Sequence, residues 1–216
     1  MNKIFFIFLI FLYGLSFSYE ISEFPHVSRY DERLKNISDE SFLSNALDDS
    51  DLDLVFSALK RVGELRLTNL KSKVIGLIGI ANPQANISRS KLYANYRNIF
   101  YLGILVLGKI GSSENDAAYL AGFLRDTKKD VLGTVCILQA LGELKGNKKA
   151  LDFLQEYSLT VGYRTDSRVV RSLVDAIVAQ GKKSSNTYLI SLRGRVSQED
   201  RVYVSDAIMK LKKMPD

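Results

Sequence analysis

The sequence Leu141-Gly142-Glu143-Leu144 closes an apolar run and occurs in altered form at three other points in the chain. The other copies are Val62-Gly63-Glu64-Leu65, Leu107-Gly108-Lys109-Ile110 and Gln180-Gly181-Lys182-Lys183. Their glycines lie 45, 34 and 39 residues apart, and each follows an apolar stretch of helix length. A period in this range is typical of stacked helical hairpins, in which no single hairpin buries its own apolar face.

The 216 residues are 46% apolar and 25% charged, the composition of an ordinary globular protein. Because no β-type alternation of useful length occurs, we expect an all-α fold, an α-solenoid of about four and a half helical hairpins over residues 50–216. Each glycine is expected just after the first helix of a hairpin. The predicted helices are 51–61 with 68–80, 90–107 with 114–125, 130–141 with 148–157, 167–180 with 186–192, and a final helix 198–212.

Three helix starts share one chemistry, a serine followed three residues later by an aspartate. This spacing is that of a capping box, with Asp in place of the usual Glu or Gln. The pairs are Ser50 with Asp53, Ser113 with Asp116, and Ser197 with Asp200.

The ends of the apolar runs carry a family resemblance. Leu138-Gln139-Ala140-Leu141-Gly142-Glu143-Leu144 and Leu105-Val106-Leu107-Gly108-Lys109-Ile110-Gly111 resemble the A-L-G-x-I-G end of a HEAT-type repeat, of the short variety first associated with phycobilisome lyases. Asp166-Ser167-Arg168-Val169-Val170-Arg171 resembles the start of such a repeat. The resemblance covers residues 50–213. It implies an armadillo-like helical fold and leaves the function open.

The first residues are typical of an export signal. Lys3 precedes the apolar run of residues 4–15, and Ser16-Phe17-Ser18 offers the small residues that a signal peptidase needs. We therefore expect residues 1–18 to be a signal peptide that is cleaved after Ser18, with export to the periplasm or another extracytoplasmic space. The alternative is an uncleaved anchor, although residues 4–17 fall short of the roughly 20 residues that span a bilayer.

Charge is distributed unevenly. Residues 19–53 carry ten acidic and three basic residues, whereas residues 54–216 carry 14 acidic and 26 basic residues. We expect residues 19–49 to form an acidic N-terminal segment or helical cap, with one helix starting at Ser38 and carrying Phe42, Leu43 and Leu47. A basic body suggests nucleic acid, anionic lipid or an acidic protein as partner, and the acidic segment could also fold back onto it.

Catalytic chemistry finds little support in the sequence. The one histidine, His26, lies in the polar N-terminal segment beside Pro25 without a Cys or Ser suited to act as its catalytic partner, which argues against a histidine-based triad or a zinc site. The one cysteine, Cys136, lies in the apolar run 131–144, where we expect a small buried residue in a helix enclosed by its neighbours. No phosphate-binding glycine loop occurs. We therefore expect no catalytic, metal or cofactor site.

Two sets of residues are candidates for binding a protein. The first combines aromatic and basic residues in the second hairpin, and the alternative is that its tyrosines cover a core made by Phe100 and Tyr101. The second is the basic set of Arg164, Arg168 and Arg171 with Lys182 and Lys183. Its alternative is local ion pairing, for example of Asp166 with Arg168 or Arg171 and of Asp175 with Arg171, and we expect this alternative for Arg171. The candidates are Arg89, Lys91, Tyr93, Tyr96 and Arg97 in the first set and Arg164 and Arg168 in the second.

These observations predict an exported, non-enzymatic scaffold that binds another protein of the cell envelope through one face of a HEAT-like solenoid. The first alternative is a lyase-type or other enzyme on the same scaffold. The second is a basic solenoid that binds nucleic acid, which requires the export signal to be false. The sequence indicates neither the partner nor the oligomeric state.

Overall fold

The computed structural model describes residues 28–83, 93–125, 127 and 130–214. Within these ranges the protein is all-helical and contains no β-strand, as the sequence predicts. The predicted signal peptide and His26 lie outside them. The helices are α1 (Asp31–Leu34), α2 (Glu40–Ala46), α3 (Leu52–Leu65), α4 (Lys71–Ala81), α5 (Tyr93–Ile110), α6 (Glu114–Gly122), α7 (Val131–Glu143), α8 (Lys148–Thr160), α9 (Ser167–Ala179), α10 (Asn186–Arg195) and α11 (Gln198–Lys212), with 3₁₀ turns at Thr68–Leu70 and Lys183–Ser185.

From α3 onwards the helices lie in two rows. In row one, α3, α5, α7, α9 and α11 each pack against the next, and row two, α4, α6, α8 and α10, packs behind it. Helices of row one run in the same direction. Tyr101, halfway along α5, bonds Asp130 before α7, and Gly108, near the end of α5, lies against Ala140, near the end of α7.

Three of the four recurrent glycines lie inside helices, which corrects the expectation that each follows one. The reason is the closeness of neighbouring helices in row one. A Cβ on Gly108 would lie 2.5 Å from the Cα of Ala140, and one on Gly142 would lie 2.8 Å from the Cα of Ala176. Only Gly181 follows its helix, with a φ of 66° in the left-handed region that glycine favours.

The helix starts follow the predicted chemistry with two corrections, of which the first is that Asp39 rather than the predicted Ser38 caps α2. Ser113 forms a full capping box with Asp116, and Ser197 accepts a hydrogen bond from the amide of Asp200. Before α3, however, the N-cap is Asp51 rather than Ser50, because the Asp51 carboxylate accepts the amide of residue 53. Aspartates also cap α2, α7 and α9, where their charge complements the helix dipole.

The helix ends are tied to the following hairpin. Nε2 of Gln180 donates to the carbonyl oxygens of Leu141 and Leu144, at 2.8 and 3.1 Å, and so satisfies the end of α7. Arg195 donates to three carbonyl oxygens at the end of α8, at 2.8 to 2.9 Å. Five helices end two to four residues later than predicted, namely α3, α5, α7, α8 and α10. Helix α6 ends earlier than predicted, at Gly122.

The core runs along the contact between the rows. Helix α7 is largely enclosed, as predicted: Leu138 and Cys136 are fully buried, and outside its half-exposed first turn only Gln139 and Glu143 are not buried. The described part of the acidic segment contacts α3 and α4. Asp31 accepts from Lys60 at 3.2 Å, and Asp48 pairs with Lys73. Part of the acidic segment therefore folds back onto the basic body and forms ion pairs with it. Phe42 of α2 is 45% exposed.

Candidate functional site

The first predicted set surrounds the start of α5. Arg89 and Lys91 lie outside the described residues, and Tyr93 begins α5 without a described side chain. The structure therefore describes two side chains of this set, Tyr96 and Arg97.

Behind them the aromatic side chains form core. Phe100 and Tyr101 are 1% and 2% exposed, and Tyr96 is half-buried against the core. Phe100 also stacks edge-on against Phe123 of the α6 end, with ring centroids 5.2 Å apart. This aromatic packing fixes α5 against α6.

Arg97 belongs to an ion network that joins α5 to α7. Its guanidinium lies 3.0 Å from the Asp130 carboxylate and contacts the Tyr101 hydroxyl, which donates to Asp130. Burial raises the pKa of Tyr101, and the hydrogen bond to Asp130 raises it further, so the phenol stays protonated. Arg97 thus has a structural role at the N-cap of α7, although 42% of its side chain stays exposed.

In the second set, too, some side chains form ion pairs within the protein while another is exposed. Arg168 pairs with Asp166, the N-cap of its own helix, at 2.9 and 3.0 Å, and this hydrogen bonding lowers the pKa of Asp166. Arg171 pairs across to Glu199 and to Asp200 of α11. Arg164 is exposed in the connection between α8 and α9. Helix α7 lies between α5 and α9, so the structure does not join the two predicted sets.

A groove between α6 and α8 forms an apolar concavity on the surface. Its volume is about 360 Å³. Small residues of α6 form one wall, and aromatic residues of α8 form the other. A Cβ on Gly122 would meet no atom within 4 Å, so this wall is open to an incoming group. The lining is Ala118, Ala121, Gly122, Leu124, Arg125, Phe153, Glu156, Tyr157 and Thr160.

Polar groups stand at the rim of this α6–α8 groove. Arg125 and Glu156 are exposed on opposite walls, and the Lys149 ammonium lies 5.6 Å from the Phe153 ring centroid. Burial raises the pKa of Tyr157, which keeps its hydroxyl protonated. Beyond the end of α8, Tyr163 is 73% exposed. The groove thus combines one wall of small apolar residues, one neutral aromatic wall and charges of both signs.

The sequence contained a signal for this groove that our prediction did not use. Ala118, Ala121 and Gly122 are spaced three and four apart on one helix, and Phe153 and Tyr157 are spaced four apart on another. Small residues opposite large ones leave space when two helices are neighbours. Arg164, from the predicted basic set, follows α8 in the chain and is not among the residues that line the groove.

Cys136 is fully buried, and burial raises the pKa of its thiol well above the usual range, so it stays protonated. Within 28–83, 93–125, 127 and 130–214, no three His, Cys, Asp or Glu side chains are grouped so that they could hold a metal ion. The α6–α8 groove and the charged residues around it can bind a partner through apolar contacts and ion pairs.

Comparison of the chain with protein-family models, with curated proteins and with solved structures finds no significant match. Of the helices that the structure describes, none is both long enough and apolar enough to cross a membrane.

Proposed function

We propose that this protein is an exported, non-enzymatic scaffold that binds another protein of the cell envelope, and that its helices form a HEAT-type α-solenoid. The repeated contacts of row one support the solenoid. Gly108 against Ala140 and Gly142 against Ala176 are the same contact, displaced by one hairpin. Repetition of one interface is the property that defines repeat proteins.

The observation that carries the binding function is the α6–α8 groove. Its small residues leave apolar surface without a packing partner in the described structure, since a Cβ on Gly122 would meet no atom within 4 Å. Exposed apolar concavities with aromatic walls and a polar rim are typical of protein-binding surfaces. The open Gly122 and the spacing of the small residues suit the apolar face of an amphipathic helix, with polar groups facing Arg125 and Glu156.

Site-specific photocrosslinking in cells tests this proposal. A photoreactive side chain at Gly122 would stand in the groove, and one at Gly76 of α4 is the matched control, because a Cβ there also meets nothing within 4 Å. We expect a discrete crosslinked product with one envelope protein from position 122 and none from position 76. Identical products from both positions, or none from either, would contradict groove binding.

Export is tested separately by N-terminal sequencing of the native protein. Lys3, the apolar residues 4–15 and Ser16-Phe17-Ser18 lead us to expect a mature chain that begins at Tyr19. An intact Met1 on a protein found in the cytoplasm would remove the envelope from the proposal and favour the nucleic-acid alternative.

A further inference from the structure

The connections after the row-one helices form one continuous edge of the molecule. Asn147 donates to the carbonyl oxygen of Ser112 at 3.3 Å, and the Gly146 amide donates to Gln180 at 3.2 Å. A Cβ on Gly181 would lie 4.0 Å from the sulfur of residue 214. Segments 111–113, 143–149, 180–183 and 210–214 are therefore neighbours in this order.

This edge is strongly basic. Its four segments contain eight lysines and a single carboxylate, that of Glu143. Seven of the lysines are exposed in the structure, and we call them the lysine edge: Lys145, Lys148, Lys149, Lys182, Lys210, Lys212 and Lys213.

Helix dipoles explain only part of this charge. Lys210 and Lys212 lie in the last turn of α11, where the dipole favours cations. Lys148 and Lys149 begin α8, where the dipole disfavours them. The charge at the start of α8 therefore has another cause.

The lysines in the first turn of α4 differ from those of the lysine edge, because they have carboxylate partners. Lys71 and Lys73 also stand in a first turn, but Lys71 lies 3.1 Å from Asp116 and Lys73 pairs with Asp48. By contrast, the ammonium groups of Lys145, Lys148 and Lys182 form no ion pair with any residue that the structure describes. The lysine edge presents positive charge outward without compensation.

We propose that the lysine edge binds the surface of an anionic membrane. Its segments contain no arginine and no aromatic residue. Nucleic-acid sites use aromatic side chains for base stacking, and protein hot spots favour aromatic side chains and arginine. Ammonium groups on flexible stems suit a diffuse layer of anionic headgroups. Met209, 54% exposed on α11, adds apolar contact beside the lysines.

Cosedimentation with lipid vesicles tests the proposal on the full chain. We compare binding to phosphatidylcholine vesicles that contain phosphatidylglycerol with binding to vesicles of phosphatidylcholine alone. The readout is the ratio of the two, because the apolar N-terminus would bind both kinds of vesicle. The test variant carries Lys145→Gln, Lys148→Gln and Lys182→Gln. The matched control removes three exposed arginines from the ends of row-two helices, by Arg125→Gln, Arg164→Gln and Arg193→Gln.

We expect the wild type to prefer anionic vesicles, and the preference to weaken as salt is raised. The lysine variant should lose this preference by about tenfold or more, the control should keep most of it, and lysine-to-arginine changes at the same positions should restore it. A wild type without preference, or equal loss in both triple variants, would overturn the proposal. Duplex DNA binding that depends on the same lysines while anionic vesicles are ignored would assign the edge to nucleic acid instead.

Discussion

At the scale of the residue, Gly108 sets the distance between α5 and α7. Gly108→Ala would place a methyl group 2.5 Å from backbone of Ala140, so the helices must separate. We expect the free energy of unfolding to fall by about 1–3 kcal/mol, as overpacking costs. The control is Gly76→Ala, which meets open space in α4 and should stabilise by up to ~1 kcal/mol through helix propensity. Urea denaturation of both variants measures the difference, and equal shifts would contradict the close contact.

Asp116 contributes stability that depends on pH. Burial alone would raise the pKa of this carboxyl, but hydrogen bonds from the amides of Ser113 and Ser112 and from Lys71 outweigh burial and hold the pKa below its usual range. A folded-state pKa below the unfolded value of about 3.9 means that the stabilisation is present at neutral pH. It is lost as the pH falls through the folded-state pKa.

Asp116→Asn tests this account, because the amide replaces one acceptor oxygen by a donor that faces the same N–H groups. We expect the variant to lose about 1.5–3 kcal/mol of unfolding free energy at neutral pH. The loss should shrink as the pH falls below the unfolded-state pKa of about 3.9 and through the lower folded-state pKa. Chemical denaturation at neutral and acidic pH measures it, and a loss that stays constant with pH would exclude the charge as its cause.

At the scale of the element, the stability of α7 depends on its enclosure. Leu138 is fully buried between neighbouring helices, so Leu138→Ala should lower the free energy of unfolding by about 2–5 kcal/mol. Leu159→Ala is the matched control: Leu159 is 58% exposed at the end of α8, and its truncation should cost within about 0.5 kcal/mol. Thermal melting compares the two, and a Leu138→Ala variant that melts like wild type would show that α7 is not enclosed.

The elements were largely predictable because their signals are local. The final helix, Gln198–Lys212, has the predicted bounds, and the Ser113 and Ser197 caps lie where capping chemistry places them. The glycines were wrongly placed beyond helix ends because Gly108 and Gly142 serve a contact with the next hairpin. A glycine that is needed for a close contact with a neighbouring helix looks, in the sequence, like a glycine that ends its own helix.

The candidate site was less predictable, since charged residues on one helix gain partners from others. Arg97 looked like binding surface, yet it pairs with Asp130 at the start of α7. Arg171 was expected to pair locally, and the structure pairs it with Glu199 and Asp200 of α11. The α6–α8 groove depends on two helices that are not consecutive, so the spacing of small residues on one and aromatic residues on the other does not show that the two face each other.

At the scale of the whole molecule, the proposed functions occupy different surfaces that meet only at Lys149, which belongs to the lysine edge and lies beside Phe153 of the groove. The α6–α8 groove lies in row two, with Arg125 at the end of α6, whereas the lysine edge follows the ends of row one. A scaffold with this arrangement would face an anionic membrane with one edge and hold its protein partner in the groove. The two proposals can therefore fail independently.

The central proposal is tested most directly by measuring how tightly two variants of α6 bind the partner protein that is crosslinked at position 122. Ala118→Glu places a carboxylate on the apolar wall of the groove, and Asn115→Glu places the same group on an exposed residue of α6 outside the groove lining. Both variants should melt like wild type. We predict that Ala118→Glu weakens binding about 30-fold or more, the usual scale of a hot spot, while Asn115→Glu leaves it unchanged. Equal affinity of both folded variants would contradict a scaffold that binds through this groove.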